Sequence, residues 1–479
     1  MLKHFVLSLA SCLLLLASVQ AQELEYSLPQ ALPYGVNASF VLGQNSEGIL
    51  VHLSGRSHES IQCYDPTSLA LKWKKDIAVA EKSATVEKVF LAGDSLMAFY
   101  TVYQKGSNVL KANLYSPRLN LLRNAVAVDT ASALLGEGST YRFRSSTLRS
   151  HVLVYTGDEF SRKREIRYAV FNAGLQTVRA GRVDASRLHQ PDLINGYVTD
   201  HGDAWFLCGD GRARNFNNAY LYTTIGLFHN DRYIETSSEG RLLSDPLFRF
   251  DMHNNAWVVA GLFSTKPGNE AHGTYFMRGA LTDTVIHASL FLPFTEDFLT
   301  NIGQQNKRAG FRDFVPTDMV VKRDGGVIFV TESQSEYSET LSSTRMSTMG
   351  SGPGLVTNHF YYNDLVVFAT DSNGAALWSQ VLRKKQQSDN DGGYYLSYGL
   401  LVGPRELWMV YNDRVSGENN LSAYAVSGTG ENKRTALVST DRKSLAPVPA
   451  QGKQIAANAL VLPSLRKGFF QLIKITFPA

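Results

Sequence analysis

One hairpin-like motif recurs eight times along the chain and limits the folds open to it. In each copy an alternating or apolar run reaches a tight polar turn, and a second apolar run follows. The second runs are ILVHL, SLMAFY, HVLVY, AWFLC, AWVVAG, VIFV, ELWMVY and GFFQLI. Asx-Gly and similar polar turns between apolar runs indicate β-hairpins. Trp205, Trp257 and Trp408 occupy matching places just after their turns, which favours true repetition.

A second pair of runs, also split by a turn, follows most of these hairpins. Examples are IQCYDPTSLALKWKKDI, ANLYSPRLNLL, YAVFNAGLQTV and LVVFATDSNGAALWSQVL. Four antiparallel strands in a unit of roughly 50 residues are typical of a propeller blade. Packing each face of such a sheet on a neighbour buries both faces. No Pro- or Ser-rich linker divides the chain into separate sandwich modules, so we predict an all-β fold, a single β-propeller.

The number of blades depends on how the two ends of the chain are read. The first seven units each supply four strands, whereas the last, near Ala456 to Phe477, supplies two. The segment Glu23 to Leu28 precedes the first unit and reads as a strand. It could pair with the terminal unit, so that N- and C-terminal strands close the ring. We therefore predict eight blades of four antiparallel strands, with seven as the alternative.

The N-terminal 21 residues are typical of an export signal. Lys3 and His4 precede an apolar run of about 14 residues, and Val19-Gln20-Ala21 resembles a signal peptidase site. A membrane span needs roughly 20 apolar residues, so we expect a cleaved signal peptide, 1–21, and no span in the mature chain. The expected product, 22–479, is secreted, periplasmic or on the cell surface. Whether Cys12 is lipidated stays open.

Two turns between third and fourth strands carry a recognisable string. Asp371 to Trp378 reads DSNGAALW, and Cys63 to Trp73 is a looser version. These strings resemble repeats of the pyrroloquinoline-quinone-like propeller superfamily. The resemblance implies that Asp371 and the turn glycine form the turn and that Trp378 locks adjacent blades. The chain lacks the vicinal Cys pair of many quinone dehydrogenases, so it resembles the non-enzymatic branch of the superfamily. No cofactor is therefore expected. A quinone-dependent oxidoreductase is kept as one alternative function.

Composition and motifs exclude several classes of function. The net charge of +4 and the lack of a long Lys/Arg block argue against a nucleic-acid partner. No His-x-x-x-His or Cys-x-x-Cys pair suggests a metal site, and there is no Gly-x-Ser-x-Gly elbow or P-loop. Cys63 and Cys208 are expected to be two separate buried residues rather than a disulfide. No catalytic residue can be named.

Candidate binding residues come from loops that a propeller gathers on one face. The longest irregular segments there are 294–313, with a possible short helix from Glu296 to Gln304, and 334–357. Long loops of this kind usually carry function. The second-to-third strand loops have a mild basic bias, which suits an anionic or hydroxyl-rich ligand. The candidates are Arg212, Arg214, Tyr337, Arg345 and Arg414.

These observations favour a non-catalytic exported propeller that binds a protein or glycan through the long-loop face. The alternative is an extracytoplasmic carbohydrate-active hydrolase or lyase with its site in the central pocket. Three or more convergent carboxylates, His or Tyr with perturbed pKa values would favour the enzyme. A flat or apolar rim would favour the binding protein.

Overall fold

The computed structural model describes residues 22–478, apart from 56–57, 80, 82, 133–140, 158–163, 212, 215–219, 231, 269, 304–310, 342–354 and 416–418. The expected signal peptide lies outside the described residues. The described chain begins with β1 (Glu23–Tyr26) and β2 (Gln30–Ala31), which both pair antiparallel with a strand at the far end of the sequence.

Three four-stranded antiparallel sheets follow, each with its strands paired in chain order. Sheet 1 contains β3 (Val36–Gln44), β4 (Ile49–Gly55), β5 (His58–Tyr64) and β6 (Leu71–Asp76). Sheet 2 contains β7 (Thr85–Ala92), β8 (Ser95–Gln104), β9 (Ser107–Tyr115) and β10 (Leu121–Ser132). Sheet 3 contains β11 (Arg142–Ser145), β12 (His151–Gly157), β13 (Glu165–Asn172) and β14 (Thr177–Asp184).

Sheets 4 and 5 share an inserted hairpin. Sheet 4 consists of β15 (Asp192–Val198), β16 (Ala204–Asp210), β19 (Thr224–His229) and β20 (Arg232–Ser237), with β17 (Ala213–Arg214) and β18 (Tyr220–Tyr222) between its second and third strands. Sheet 5 consists of β21 (Leu242–Asp251), β22 (Ala256–Ser264), β24 (Gly273–Ala280) and β25 (Ile286–Pro293). The β17–β18 hairpin pairs with β21, and a short β23 (Glu270–Ala271) follows β22.

A short helix and a long hairpin mark sheet 6. The helix α1 (Glu296–Asn301) is capped by Thr295 and leads to β26 (Phe311–Arg312), which pairs with β23. Sheet 6 contains β27 (Phe314–Val321), β28 (Val327–Leu341), β29 (Leu355–Thr370) and β30 (Ala376–Leu382), and β31 (Gln386–Asp389) pairs with the outer part of β29.

Sheets 7 and 8 complete the described chain. Sheet 7 contains β32 (Tyr398–Val402), β33 (Glu406–Asn412), β34 (Asn420–Ser427) and β35 (Asn432–Ser439). A 3₁₀ turn, Pro449–Gln451, leads to β36 (Lys453–Ala456), β37 (Ala459–Arg466) and β38 (Phe469–Thr476). Sheet 8 orders them β36-β37-β38-β1, so a strand from each end of the chain lies side by side, as the sequence predicted for Glu23 to Leu28.

Apolar side chains between consecutive sheets form the core. Each described cluster joins two neighbours, beginning with sheets 1 and 2 and ending with sheets 7 and 8. A further cluster joins sheet 8 back to sheet 1, where Val461 and Leu472 meet Val41 and Leu53. Burying one such side chain contributes about 1.5–3 kcal/mol. Four-stranded sheets packed face to face in chain order give the architecture of a β-propeller.

The turn chemistry that the resemblance implied is present. One carboxylate oxygen of Asp371 accepts hydrogen bonds from the backbone of Asn373 and Ala375, both 2.9 Å. Trp378 donates from Nε1 to the carbonyl oxygen of Gly428 in sheet 7, at 3.0 Å. Asp371 therefore shapes its own turn, and Trp378 ties sheet 6 to sheet 7.

Two details of the sequence reading are wrong. The turn that precedes GFFQLI, Arg466-Lys467, was expected to join the first two strands of the last unit, but it joins the second and third strands of sheet 8. Its true first strand, β36, has four residues and no apolar run, so no periodic signal marked it. The segment 334–357 is not irregular at its ends, because β28 continues to Leu341 and β29 begins at Leu355; the part between lies outside the described residues.

Cys63 and Cys208 are buried and unpaired in sheets 1 and 4, as expected from the sequence. Within the described part of the chain, no helix has the length and apolar character needed to cross a membrane.

Candidate functional site

The order of the strands places two kinds of connection at one end of the sheets. Because neighbouring strands are antiparallel, second-to-third connections and the links from one sheet to the next emerge on the same side. We call this side the loop face. The first-to-second turns lie on the opposite side. Arg414, one of the predicted binding residues, lies on the loop face between β33 and β34.

A cavity of about 970 Å³ opens on the loop face between sheets 6 and 7, and we call it the rim cavity. Its walls come from the end of β30, the β33–β34 connection and the chain after β35. Its charged lining residues are Arg383, Lys384, Lys385, Arg414, Arg434, Arg442, Asp364, Asp413 and Asp441. Asn419, Asn420 and Ser439 add neutral polar groups.

The three carboxylates of the rim cavity are already engaged. Asp364 lies 2.6 Å from Arg383, and Asp413 lies 2.6 Å from Arg434 and accepts a hydrogen bond from Ser422. One oxygen of Asp441 accepts a hydrogen bond from the backbone of Asn419, at 2.8 Å.

Three cations remain on the walls of the rim cavity. No described carboxylate lies within 4 Å of the charged groups of Lys385, Arg414 or Arg442, and all three residues are exposed. The rim cavity thus offers three uncompensated cations to a ligand.

The structure brings only part of the predicted set to this cavity. Arg212 and Arg345 lie outside the described residues, and of Arg214 only the backbone, in β17, is described. Through β18, that hairpin extends sheet 5 beyond its first strand, β21. Arg414 lines the rim cavity, whereas Tyr337 does not.

Tyr337 lies on β28 instead of in an irregular loop, and it is 60% exposed. Its ring stacks on His359 of β29, with 6.1 Å between the ring centroids. The imidazole of His359 lies 2.7 Å from Asp389 and 3.6 Å from Glu339. The extended hairpin of sheet 6 therefore carries a stacked Tyr337–His359 pair beside β31.

A second cavity, of about 740 Å³, is lined by the first strands of sheets 1, 2 and 3 and by the segment that leads into sheet 8. We call it the central cavity. Lys88, Arg144, Arg149 and Lys453 line it, together with the ring of Phe40. Burial and the charge of Arg144 lower the pKa of Lys88. Burial, Arg149 and Lys88 lower the pKa of Lys453.

An adjoining cavity of about 470 Å³ continues along the first strands of sheets 3 to 6. Pro246 and Thr317 line it, next in sequence to Asp245 and Asp318. Burial raises the pKa of Asp245 to about 6. Burial also raises the pKa of Asp318, whose carboxylate accepts a 2.8 Å hydrogen bond from Tyr398. Asp245 and Asp318 are the described carboxyl groups whose raised pKa values would favour an enzyme.

The cations of the central cavity are not among the binding residues predicted from the sequence, because those came from loops. Lys88, Arg144 and Lys453 sit on first strands, between two and five residues before the turn, as does Arg249 of the adjoining cavity. A cation at that place in four of the repeats is a signal that the sequence did contain. Among the described residues, no three His, Cys, Asp or Glu side chains are grouped to hold a metal ion.

Comparisons with known proteins add similarities of low score. No protein-family model matches the chain, and no curated protein sequence matches it. A solved structure of the Dos1 propeller has a TM-score of 0.47 at 8% identity and covers 94% of this chain and 95% of its own. The polysaccharide lyase Uly1 has a TM-score of 0.41 at 8% identity, covering 94% and 100%. These values assign neither a family nor an activity to this chain.

Proposed function

We propose that this chain is an exported, non-catalytic propeller that binds an acidic glycan in the rim cavity of the loop face. The observation that carries the proposal is the set of three exposed cations, Lys385, Arg414 and Arg442, without carboxylate partners among the described residues. An acidic glycan supplies carboxylate or sulfate groups for these cations. It also supplies hydroxyls for neutral polar groups in the same walls.

Charge and shape both support this ligand class. Not counting Lys384, whose charge is offset by Glu332, the cavity has five cations and three carboxylates. Arg383 and Arg434 are held by their carboxylates, so they form fixed walls rather than mobile arms. Asn420 and Ser439 can donate to and accept from sugar hydroxyls. A cavity of about 970 Å³ has room for several sugar units.

The test is a glycan array with the chain from Gln22 onward, followed by titration of the acidic glycans that bind. A triple variant, Lys385→Gln, Arg414→Gln and Arg442→Gln, should weaken binding about tenfold or more. The matched control removes three exposed cations outside the cavity, Arg405→Gln, Lys433→Gln and Lys467→Gln, and should bind as the parent does. An equal loss of glycan affinity in both triple variants would mean that binding depends only on net charge, and it would overturn the rim cavity as the site.

A second candidate function, a carbohydrate-active hydrolase or lyase, is favoured by the raised pKa values of Asp245 and Asp318. A carboxyl with a pKa near 6 is suited to general acid or base catalysis near neutral pH. Incubation with acidic polysaccharides would release new reducing ends or unsaturated sugars. Asp245→Asn should abolish this release, and Asp76→Asn, at an exposed carboxylate, should not.

We also infer an eight-bladed ring closed between β1 and β38. The pairing of these strands and the apolar cluster between sheets 8 and 1 support it. The turn chemistry of Asp371 and Trp378 supports kinship with the pyrroloquinoline-quinone-like superfamily. Export is supported by the sequence of residues 1–21, and N-terminal sequencing of the extracytoplasmic protein should begin at Gln22.

A further inference from the structure

Four cations from three different sheets meet around the central cavity. Lys88 comes from β7, Arg144 from β11, and Lys453 from the start of β36. Arg149 belongs to the first-to-second turn of sheet 3, on the side opposite the loop face. All four line the same cavity, and none lines the rim cavity.

Their charges have no acidic partners among the described residues. No described carboxylate oxygen lies within 4 Å of the charged atoms of Lys88, Arg144, Arg149 or Lys453. Glu87 is the acidic residue in the described lining of the central cavity. Glu87 accepts a 2.6 Å hydrogen bond from Thr101.

Glu59 is likewise engaged. It lies 2.5 Å from His52 and accepts a 2.8 Å hydrogen bond from Ser54. Neither Glu59 nor Glu87 therefore forms a direct ion pair with a cation of the central cavity.

The cations lie close enough to repel one another, which adds to the effect of burial on their pKa values. Burial and Arg144 lower the pKa of Lys88, and Arg149 and Lys88 contribute to the lowering for Lys453. Lys88 and Lys453 are both exposed residues that line the cavity. A cluster of like charges destabilises the empty fold, so a ligand that neutralises it gains binding energy from relieving the repulsion.

The backbone is shaped to hold Arg149 in this place. The guanidinium donates to the carbonyl oxygen of Gln44 at 3.3 Å. It also lies against Gly43, where a Cβ would come within 2.7 Å of it. Gly43 has a φ of +130°, a conformation that favours glycine. Sheet 1 thus leaves room for a cation that sheet 3 provides.

We propose that the central cavity binds an oxyanion, a phosphate or sulfate group carried by a compact organic ligand, between Lys88, Arg144, Arg149 and Lys453. Two guanidinium forks and two ammonium groups match the several oxygens of a tetrahedral oxyanion. A cavity of about 740 Å³ is much larger than a bare ion, so the group has a body attached. Phe40 offers that body an apolar face beside Lys88, whose ammonium is 5.2 Å from the ring centroid.

This site does not depend on the rim cavity, and its ligand differs in size and position. The test is isothermal titration of the chain from Gln22 onward with inorganic phosphate, sulfate, glucose 6-phosphate and glucose. Phosphate or sulfate should bind, and glucose 6-phosphate should bind more tightly than inorganic phosphate if Phe40 contacts the body. Comparison of phosphate with sulfate separates the two sources of oxyanion. Failure of both to bind would overturn the proposal.

Variants then locate the site. Lys88→Gln and Lys453→Gln should each weaken oxyanion binding roughly 10- to 100-fold, as expected for a lost charge-assisted hydrogen bond. Lys453→Arg should retain it. Lys433→Gln, at an exposed cation outside both cavities, should not change it. Oxyanion binding that survives both Lys88→Gln and Lys453→Gln would overturn the central site.

Thermal unfolding gives a second readout that a structural role would not produce. Without oxyanion, Lys453→Gln should melt at a higher temperature than the parent because repulsion is relieved. With saturating phosphate the order should reverse, since the parent alone is stabilised by tight binding. A variant that melts lower than the parent under both conditions, with unchanged phosphate affinity, would show that Lys453 only supports the fold.

Discussion

Lys384 and Glu332 lie 2.7 Å apart, and neither side chain has any exposed surface. The ammonium of Lys384 also donates hydrogen bonds to the carbonyl oxygen of Tyr362 and to Gln386, at 2.9 and 2.8 Å. The other carboxylate oxygen of Glu332 accepts hydrogen bonds from Gln334 and Ser397, both 2.7 Å. The pair therefore joins sheet 6 to the segment that leads into sheet 7.

Replacing one partner of this pair should be severe. Lys384→Met leaves a buried carboxylate without its cation, and we expect a loss of about 3–5 kcal/mol in the free energy of unfolding. The double variant Lys384→Met and Glu332→Met should recover much of this loss. The control is the next residue, where Lys385→Met at an exposed position should change stability by less than about 0.5 kcal/mol. Urea unfolding measures all three, and similar losses for Lys384→Met and Lys385→Met would contradict the argument.

The sheets were predictable from the sequence because their signals are local. Runs such as VIFV and AWVVAG are buried on both faces, and polar turns such as Gly93-Asp94 separate paired strands. The pairing of β1 with β38 was also predictable, since the terminal unit lacked strands that Glu23 to Leu28 could supply.

The sites were harder to predict because they depend on distant residues. Lys88 and Lys453 are 365 positions apart in the sequence and meet in the central cavity because sheet 8 returns to sheets 1 and 2. Lys384 reads as one of three consecutive cations after β30, and nothing local distinguishes it from Lys385. Its burial follows from β31 and the sheet 7 segment that cover it, which no local pattern indicates.

The contact between Trp378 and the turn of sheet 7 should be sensitive to one methyl group. A Cβ at Gly430 would lie 2.7 Å from the Trp378 ring, and the φ of +89° there is strained for other residues. We expect Gly430→Ala to cost about 2–3 kcal/mol. The control lies in the same turn, since a Cβ at Gly428 meets nothing within 4 Å. Thermal unfolding should separate Gly430→Ala from Gly428→Ala, and equal melting temperatures would refute the docking role of Trp378.

The terminal strand pair predicts a difference between two neighbouring leucines. Leu24 in β1 packs against the cluster between sheets 7 and 8, whereas Leu28 is 77% exposed. Leu24→Ala should cost about 1–2 kcal/mol for a partly buried side chain, and Leu28→Ala less than about 0.5 kcal/mol. Chemical unfolding measures both. Equal effects would mean that β1 contributes little to holding the two ends of the chain together.

Asp245 predicts a dependence of stability on pH. Burial raises its pKa to about 6 in the folded chain, above the usual value of 3.8. The folded state therefore holds this proton at pH values where the unfolded state has lost it, so stability falls as the pH rises from about 4 to about 6. The contribution is up to about 3 kcal/mol, since one pKa unit corresponds to about 1.4 kcal/mol.

Asp245→Asn removes this penalty without changing the shape of the side chain. The backbone of Asp245 has a φ of +44°, which Asn tolerates as readily as Asp. The variant should be more stable than the parent at pH 7.5 and about equal to it at pH 4, where Asp245 is protonated in the folded chain. Asp76→Asn, at an exposed carboxylate, should show no such difference between the two pH values. A variant less stable than the parent at pH 7.5 would mean that the charged form of Asp245 is favoured by a partner, in conflict with its raised pKa.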